Sequence, residues 1–208
     1  MTQSFRQLGA EFRQDWDDGL NWEFKRAAIA FLALAGLAFG ACLLSPSLLD
    51  WIMDLISGSL STAETGTQVR GFSAALAIFA ADIQTCSVCM LYGMIPWACL
   101  PALPLGLNSM MLGTLAAWYI SQDCSPLFIL AALLPNSIFG VPALILSFAA
   151  GLFVCEQMTR RIRGDETARA PMACLMVLSR ALILLLPLLA LAAVTKTFLT
   201  PAIFSFVS

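Results

Sequence analysis

The sequence predicts an all-α polytopic membrane protein with about five transmembrane helices, on three observations. Of its 208 residues, 60% are hydrophobic and only 12% are charged, whereas soluble domains carry roughly 25% charged residues. Five segments are apolar over about the 20 residues that a helix needs to cross a bilayer. Most Lys and Arg residues fall in connecting segments that lie on one side of the predicted membrane. Lipid is therefore the expected solvent for most of the chain.

The N-terminal segment, residues 1–26, is predicted to be a cytoplasmic amphipathic helix. It is polar, and the first apolar run begins only at Ala27, which argues against a cleavable signal peptide. Its large apolar residues recur at three- and four-residue spacing; they are Phe5, Leu8, Phe12, Trp16 and Leu20. Because the intervening charges have both signs, a cap docked under the helix bundle or a face for a partner is favoured over an anchor to acidic lipids.

Residues 27–208 are predicted to form a single transmembrane domain. Its spans are expected at about 27–44, 71–91, 97–120, 127–155 and 171–194. An outer loop, 45–70, joins the first two spans, and an inner loop, 156–170, joins the last two. In the outer loop, one helical face carries Leu48, Leu49, Ile52, Leu55 and Ile56. This spacing predicts a short helix that lies either on the membrane surface or on the bundle.

The distribution of basic residues orients the predicted spans. One side carries eight of them, namely Arg6, Arg13, Lys25, Arg26, Arg160, Arg161, Arg163 and Arg169. The opposite side carries Arg70 and Lys196. Because cytoplasmic segments of membrane proteins are enriched in Lys and Arg, we expect a cytoplasmic N-terminus and an extracytoplasmic C-terminus.

Prolines predict irregular third and fourth spans. Pro96, Pro101 and Pro104 crowd the start of the third, and Pro135 and Pro142 interrupt the fourth. Proline removes an intrahelical hydrogen bond and clashes with the preceding turn. In lipid the carbonyls that it frees must be satisfied by protein or water. We therefore expect these two helices to be kinked or broken where they face the protein interior.

Four polar residues within the spans are candidate site residues: Asp82, Asn108, Asn136 and Arg180. A charge near the bilayer centre costs about 2.5–3.5 kcal/mol even on the lenient insertion scale, so Asp82 should have a partner in the bundle or be protonated. Arg180 either extends toward the cytoplasmic interface or pairs with Asp82. The two asparagines are expected to hydrogen-bond across helices. A structural role, a substrate or proton pathway, and contacts with a partner helix all remain open.

Small residues at four-residue spacing predict close helix packing. They are Gly36 and Gly40 in the first span, Ser109 and Gly113 in the third, and Ala143, Ser147 and Gly151 in the fourth. The pattern does not distinguish contacts within one chain from contacts between two. A homodimer, another homo-oligomer or a complex with a protein partner is therefore expected, together with membrane lipids and no nucleic acid.

No catalytic set is visible in the sequence. The chain has no histidine, and most of its seven cysteines lie in apolar stretches, where they are expected to pack as small hydrophobic residues. Cys86 and Cys89 have the spacing of a redox or metal motif, but an apolar run is a poor setting for either chemistry. We expect a protein that is not an enzyme and that has no metal or cofactor.

The segment from about Phe79 to Gly151 resembles the stage II sporulation protein M family. That family shows an Asn in its second span, then an Asn–Gly pair, then a Pro-His-Gly-x-x-Glu-x-Pro stretch leading into a small-residue helix. The matching segments here are Phe79-Ala-Ala-Asp82, Gly106-Leu-Asn108 with Gly113, and Pro135-Asn-Ser-Ile-Phe-Gly140-Val-Pro142-Ala143. Asp82 stands in place of the family's first Asn, and Asn136 and Gly140 stand in place of its His and Glu.

The resemblance implies a non-enzymatic protein of the bacterial cytoplasmic (inner) membrane. In sporulating members the family provides a membrane anchor and scaffold for two proteins that degrade peptidoglycan. A scaffold or partner-binding subunit is therefore the first hypothesis for function. The alternative is a small-molecule or lipid transporter or permease-like subunit with a site at the irregular helices, since transporter sites are often built from discontinuous helices.

Overall fold

A computed structural model describes residues 2–54, 72–95, 102–122 and 126–199, with side chains in 9–54, 72–95, 102–122 and 138–198. These residues form helices and no strand. The helices are α1 (Thr2–Asp15), α2 (Asn21–Leu44), α3 (46–54), α4 (Phe72–Tyr92), α5 (Ala102–Ser121), α6 (Pro126–Ile162) and α7 (Pro171–Val194). Two π-helical turns, Trp16–Leu20 and Thr195–Leu199, follow α1 and α7.

The all-α membrane fold class predicted from the sequence is confirmed. Among the described residues, four helices are long and apolar enough to cross a membrane; they occupy Gly9–Leu44, Phe72–Tyr92, Ile138–Ile162 and Pro171–Phe198. The remaining predicted span corresponds to α5, which contains Pro104 and Asn108 and is not one of these four helices. It nevertheless packs along α2 as a member of the bundle.

Helix α6 forms the centre of the bundle and contacts α2, α4, α5 and α7. Its buried residues occur all around the helix rather than on one stripe, and they include Ala143, Phe148, Ala149, Phe153 and Val154. A helix that is apolar on every face is one that neighbours surround. The small residues Ser147 and Gly151 are also buried there.

The prolines do not break the fourth span. Helix α6 continues through Pro135 and Pro142, and α7 likewise contains Pro187. A single proline removes one backbone hydrogen bond, and surrounding helices allow a membrane helix to tolerate that loss. In α5, Pro104 lies in the first turn, where the missing N–H has no intrahelical acceptor in any case. Pro96 and Pro101 lie outside the described residues.

The predicted inner loop is shorter than expected. Helix α6 extends to Ile162, so only residues 163–170 separate it from α7. The extension beyond residue 155 is polar, and Glu156 and Arg160 lie 3.9 Å apart as an i,i+4 pair. Such pairs stabilise an exposed helix end by a few tenths of a kcal/mol. The helix therefore continues past its apolar part.

The short helix of the outer loop packs on the bundle. In α3, Leu49 is buried against Cys42 and Ala117, and Ile52 is partly buried beside them. Trp51, on the other face, is exposed. The sequence left open whether this helix lies on the membrane surface or on the bundle. Its described part packs on the bundle. Leu55 and Ile56 lie outside the described residues.

The N-terminal segment caps one end of the bundle. Trp16 packs against Phe24, with 5.4 Å between the ring centroids, and Leu20 is fully buried. The chain turns between α1 and α2 at Gly19, where φ is +131°, a conformation that residues with a Cβ rarely adopt. The amphipathic segment therefore docks on the helices, as one of the sequence hypotheses proposed.

Three of the predicted helix-packing glycines differ in their surroundings. A Cβ added at Gly113 would collide with the backbone carbonyl of Ala35 in α2 and lie 3.0 Å from the amide nitrogen of Phe39. A Cβ added at Gly36 or Gly40 has nothing within 4 Å. Gly113 thus enables the close approach of α5 to α2. Gly36 and Gly40 take no part in packing within the part of the chain that the structure describes.

We predict that Gly113→Ala lowers the free energy of unfolding by about 1–3 kcal/mol, because the added methyl forces two helix backbones apart. The matched control is Gly36→Ala, which should be neutral or slightly stabilising, since alanine favours helix and has open space there. Equilibrium unfolding in detergent micelles measures both. Equal effects of the two substitutions would show that α5 does not pack on α2 in this way.

Candidate functional site

A polar cavity of about 110 Å³ lies among the helices of the bundle. All five long helices line it, together with the π-helical turn after α7. The lining residues are Phe31 from α2; Asp82, Thr85 and Cys86 from α4; Asn108 and Leu112 from α5; Gly140, Val141 and Leu144 from α6; and Leu189 and Lys196 from α7 and its turn. Helices α4 and α5 share few contacts with each other, so the cavity lies where the bundle is least tightly closed.

An ion pair is the main polar feature of this cavity. The ammonium of Lys196 donates to both carboxylate oxygens of Asp82, at 2.9 and 3.2 Å. Asp82 lies ten residues from either end of α4, which is about 15 Å at 1.5 Å per residue. The two side chains keep 26% and 24% of their surface exposed. A charge that lies at mid-membrane depth is thus paired, as its cost requires.

The π-helical turn after α7 carries the lysine. Residues Thr195–Leu199 adopt this wider turn, and the hydroxyl of Thr195 donates to the carbonyl of Leu191 at 3.0 Å. The turn contacts α4 and α6. The long, flexible side chain of Lys196 can then reach from the end of α7 toward the middle of α4.

Two uncharged polar residues complete the lining. The side-chain amide of Asn108 donates to the carbonyl of Pro104, one helical turn earlier, at 2.9 Å. The hydroxyl of Thr85 donates to the carbonyl of Ala81 at 3.0 Å. Each group keeps unused hydrogen-bonding capacity, since an amide has two donors and an acceptor, and a hydroxyl has two lone pairs.

Arg180 does not pair with Asp82. Its guanidinium donates to Asp15 at 3.0 Å and lies 2.9 Å from Glu11. Arg180 is nine residues into α7, about 13 Å from its start, and its side chain extends back toward that end. Of the two alternatives for Arg180, the pair with Asp82 is therefore wrong, and α1 supplies its partners.

Arg180 belongs to a cluster that we call the cap network. Its members are Glu11, Asp15, Asp18, Arg169 and Arg180. Asp15 is at its centre, only 2% exposed, and accepts hydrogen bonds from both arginines. The network joins the N-terminal segment to the 163–170 loop and to α7. None of its members lines the polar cavity.

Arg169 is held from several sides within the cap network. Burial disfavours its charge, but hydrogen bonds to Asp15 and Asp18 and the charges of these carboxylates outweigh that effect, so the pKa of Arg169 is raised. Its guanidinium lies 5.3 Å from the ring centroid of Phe153, within the range of a cation–π contact. Its backbone N–H donates to Gln157 at 3.2 Å.

The structure brings two of the four candidate polar residues together. Asp82 and Asn108 line the cavity, and Arg180 lies in the cap network. The side chains of Asn136 and Pro135 lie outside the described residues. Sequence reasoning missed Lys196 as a site residue, because it counted this lysine with the outer loops. The one signal in the sequence was the position of Lys196 two residues past the end of a long apolar helix.

The two cysteines of the Cys-x-x-Cys motif, Cys86 and Cys89, differ in whether they line the cavity. Cys86 lines the cavity, and Cys89 is fully buried in the apolar core. Neither forms a disulfide with another described cysteine. The described residues also include no group of three or more His, Cys, Asp or Glu that could hold a metal ion.

The positions that carry the family resemblance converge on the polar cavity. Asp82, Asn108 and Gly140 come from three helices and line the same space. The sequence model of the stage II sporulation protein M family matches residues 28–201, which include all of the long helices except the start of α2. No curated protein and no solved structure matches the chain. Because the family match covers most of the sequence, the chain belongs to the stage II sporulation protein M family.

Proposed function

We propose that this protein is a non-enzymatic scaffold of the bacterial cytoplasmic membrane that holds a protein partner. The observation that carries the proposal is the cap network. It uses five charged side chains to fix α1, the following turn and the 163–170 loop onto α7. A partner-binding subunit needs a rigid surface outside the bilayer, and this network supplies one.

The arrangement of charges supports a preorganised surface. Asp15 is buried and receives two charge-assisted hydrogen bonds, which are about twice as strong as those between neutral groups. Binding to a surface that is already ordered avoids the entropic cost of fixing a loop. Family membership agrees with this function, since the sporulating members act as membrane scaffolds. We place the cap in the cytoplasm, because Lys25, Arg26 and the arginines from 160 to 169 lie at its end of the bundle.

Partner capture after purification from the native membrane tests the scaffold. We predict that a stoichiometric protein partner co-purifies with the wild-type chain and equally with Asp82→Asn, since no member of the cap network lines the cavity. Asp15→Asn should reduce the captured partner at least fivefold, because α1 loses its central anchor. Asp17→Asn, a change at an exposed carboxylate two residues away, is the matched control and should capture normally.

Two results of the partner-capture experiment would contradict the scaffold proposal. If no protein co-purifies in fixed ratio, or if capture depends on Asp82 and not on Asp15, the cap is not the partner-binding surface. Quantitative mass spectrometry of the purified complexes gives the ratio in each case.

A transporter or permease-like subunit is the second candidate, and the polar cavity favours it. Transport sites in membranes are commonly built near the bilayer midplane from polar groups that several helices supply. Asp82 meets that description by its position in α4. Solute uptake into vesicles that contain the protein separates the two functions: Asp82→Asn should abolish uptake by a transporter and has no bearing on a scaffold.

A further inference from the structure

The polar cavity has hydrogen-bonding capacity that its own residues do not use. Lys196 has three N–H donors and directs two bonds to Asp82, which leaves one donor. The carboxylate of Asp82 has about four lone-pair sites. Asn108 retains its carbonyl oxygen and a second N–H after its bond to Pro104, and Thr85 retains its lone pairs. The lining can therefore satisfy a guest that has both donors and acceptors.

An acyl chain is a poor guest for this space. Filling the cavity with hydrocarbon would leave the unused donor of Lys196 and the lone pairs of Asp82 without partners. An unsatisfied polar group in an apolar medium costs several kcal/mol. Both charged side chains are about a quarter exposed, so these atoms are accessible to a guest. Water or a polar solute is the occupant that the lining favours.

The charge balance narrows the class of solute. Asp82 and Lys196 together carry no net charge, and the other lining residues are neutral. A guest with a net charge would be uncompensated at mid-membrane depth, where an unpaired charge is costly. A guest with one positive and one negative group can place its ammonium against Asp82 and its carboxylate against Lys196. The four charges then alternate in sign.

The volume limits the part of the solute that enters. An apolar cavity of about 150 Å³ holds benzene, which has six heavy atoms. By that scale, a cavity of about 110 Å³ holds about four or five. The zwitterionic group of an α-amino acid is of this size, and glycine consists of little else.

We propose that the cavity is a binding site for a small zwitterionic solute that carries an ammonium and a carboxylate group. Asp82 binds the ammonium, Lys196 binds the carboxylate, and Asn108 and Thr85 accept or donate the remaining hydrogen bonds. The assignment concerns binding and is independent of the scaffold. It deepens the transporter alternative by naming a solute class, and binding does not require that the solute cross the membrane.

Thermal unfolding of the purified full-length protein in detergent tests the proposal with four probes. They are glycine, acetate, methylammonium and acetamide, each titrated to 100 mM as an experimental choice. A ligand that binds the folded state raises the unfolding temperature as its concentration exceeds Kd. We expect glycine to raise it, with an apparent Kd at least tenfold lower than that of any other probe.

Two variants link the effect to the cavity. Asp82→Asn leaves Lys196 without its anionic partner, so it should lose the response to glycine and bind acetate at least tenfold more tightly than the wild type does. A misfolded protein could not gain acetate binding. Asn108→Leu changes no charge and should weaken glycine binding about tenfold, which gives a second measurement. Asp17→Asn should respond as the wild type does.

Three results would overturn the proposal. Equal responses to glycine and acetate would indicate a simple anion site. No response to any probe would indicate a structural ion pair with water beside it. Unchanged glycine binding in both cavity variants would place the ligand elsewhere. Because partner capture is measured separately with Asp15→Asn, none of these results bears on the scaffold, and uptake measurements decide transport independently.

Discussion

Replacing Lys196 by methionine is expected to lower the free energy of unfolding by about 2–3 kcal/mol, because removing one partner from a fully buried ion pair costs about 3–5 kcal/mol and this pair is about a quarter exposed. The substitution leaves the Asp82 carboxylate in the middle of α4 with no ammonium at 2.9 Å. Aspartate is too short to reach either membrane interface from there. Methionine keeps the length of the side chain, so the loss reflects the charge. Equilibrium unfolding in micelles or bicelles measures it.

Two controls make the Lys196 prediction specific. Lys25→Met removes an exposed lysine at the other end of the bundle and should change stability by less than about 0.5 kcal/mol. The double variant Asp82→Leu with Lys196→Met removes both charges and should recover most of the loss, because apolar replacements for a buried pair are often neutral or stabilising. A double variant that is less stable than Lys196→Met would contradict the pairing.

Replacing Asp15 by asparagine should cost about 2–3 kcal/mol, since Asp15 accepts hydrogen bonds from two guanidinium groups and bonds to charged groups contribute about 1.5–3 kcal/mol each. Asp18 and Glu11 continue to hold the arginines, which limits the loss. The consequence extends to α1, whose docking depends on this carboxylate. Limited proteolysis should therefore cleave the N-terminal segment at least tenfold faster.

Asp17→Asn provides the matched comparison for Asp15. Both carboxylates lie at the junction of α1 and the π-helical turn, but Asp17 is exposed, and its substitution should leave the cleavage rate unchanged. If both variants are cleaved at the wild-type rate, the cap is held by the apolar contacts of Trp16 and Leu20 and not by the network.

The bundle could be predicted from the sequence because lipid imposes a simple rule on composition. Apolar length marks a span, and the helices Phe72–Tyr92 and Pro171–Val194 follow the predicted segments to within one residue, whereas α2 begins six residues before its predicted start at residue 27. The sequence predicted kinked or broken third and fourth spans. Helix α6 is continuous through Pro135 and Pro142, because a proline removes only one backbone hydrogen bond and neighbouring helices allow a membrane helix to tolerate that loss. No pattern in a single sequence indicates that α6 lies at the centre of the helix bundle.

The site could be predicted only in part. Asp82 and Asn108 are visible as costly residues in apolar runs, and both line the cavity. Their partner was not visible, because pairing depends on which helices are adjacent. Lys196 is 114 residues from Asp82 and lies just outside the predicted span 171–194, whereas Arg180 lies inside it. The structure distinguishes the two cations. The side chain of Arg180 extends back toward the start of α7, and Lys196, beyond the end of α7, pairs with Asp82.

A double-mutant cycle identifies the partner of Asp82 directly. Stabilities of the single and double variants of Asp82→Asn with Lys196→Met give one coupling energy, and those with Arg180→Met give another, since such cycles isolate pairwise terms. We predict a coupling of about 1.5–3 kcal/mol between Asp82 and Lys196, with a coupling within about 0.5 kcal/mol of zero between Asp82 and Arg180. A strong coupling to Arg180 and none to Lys196 would contradict the account.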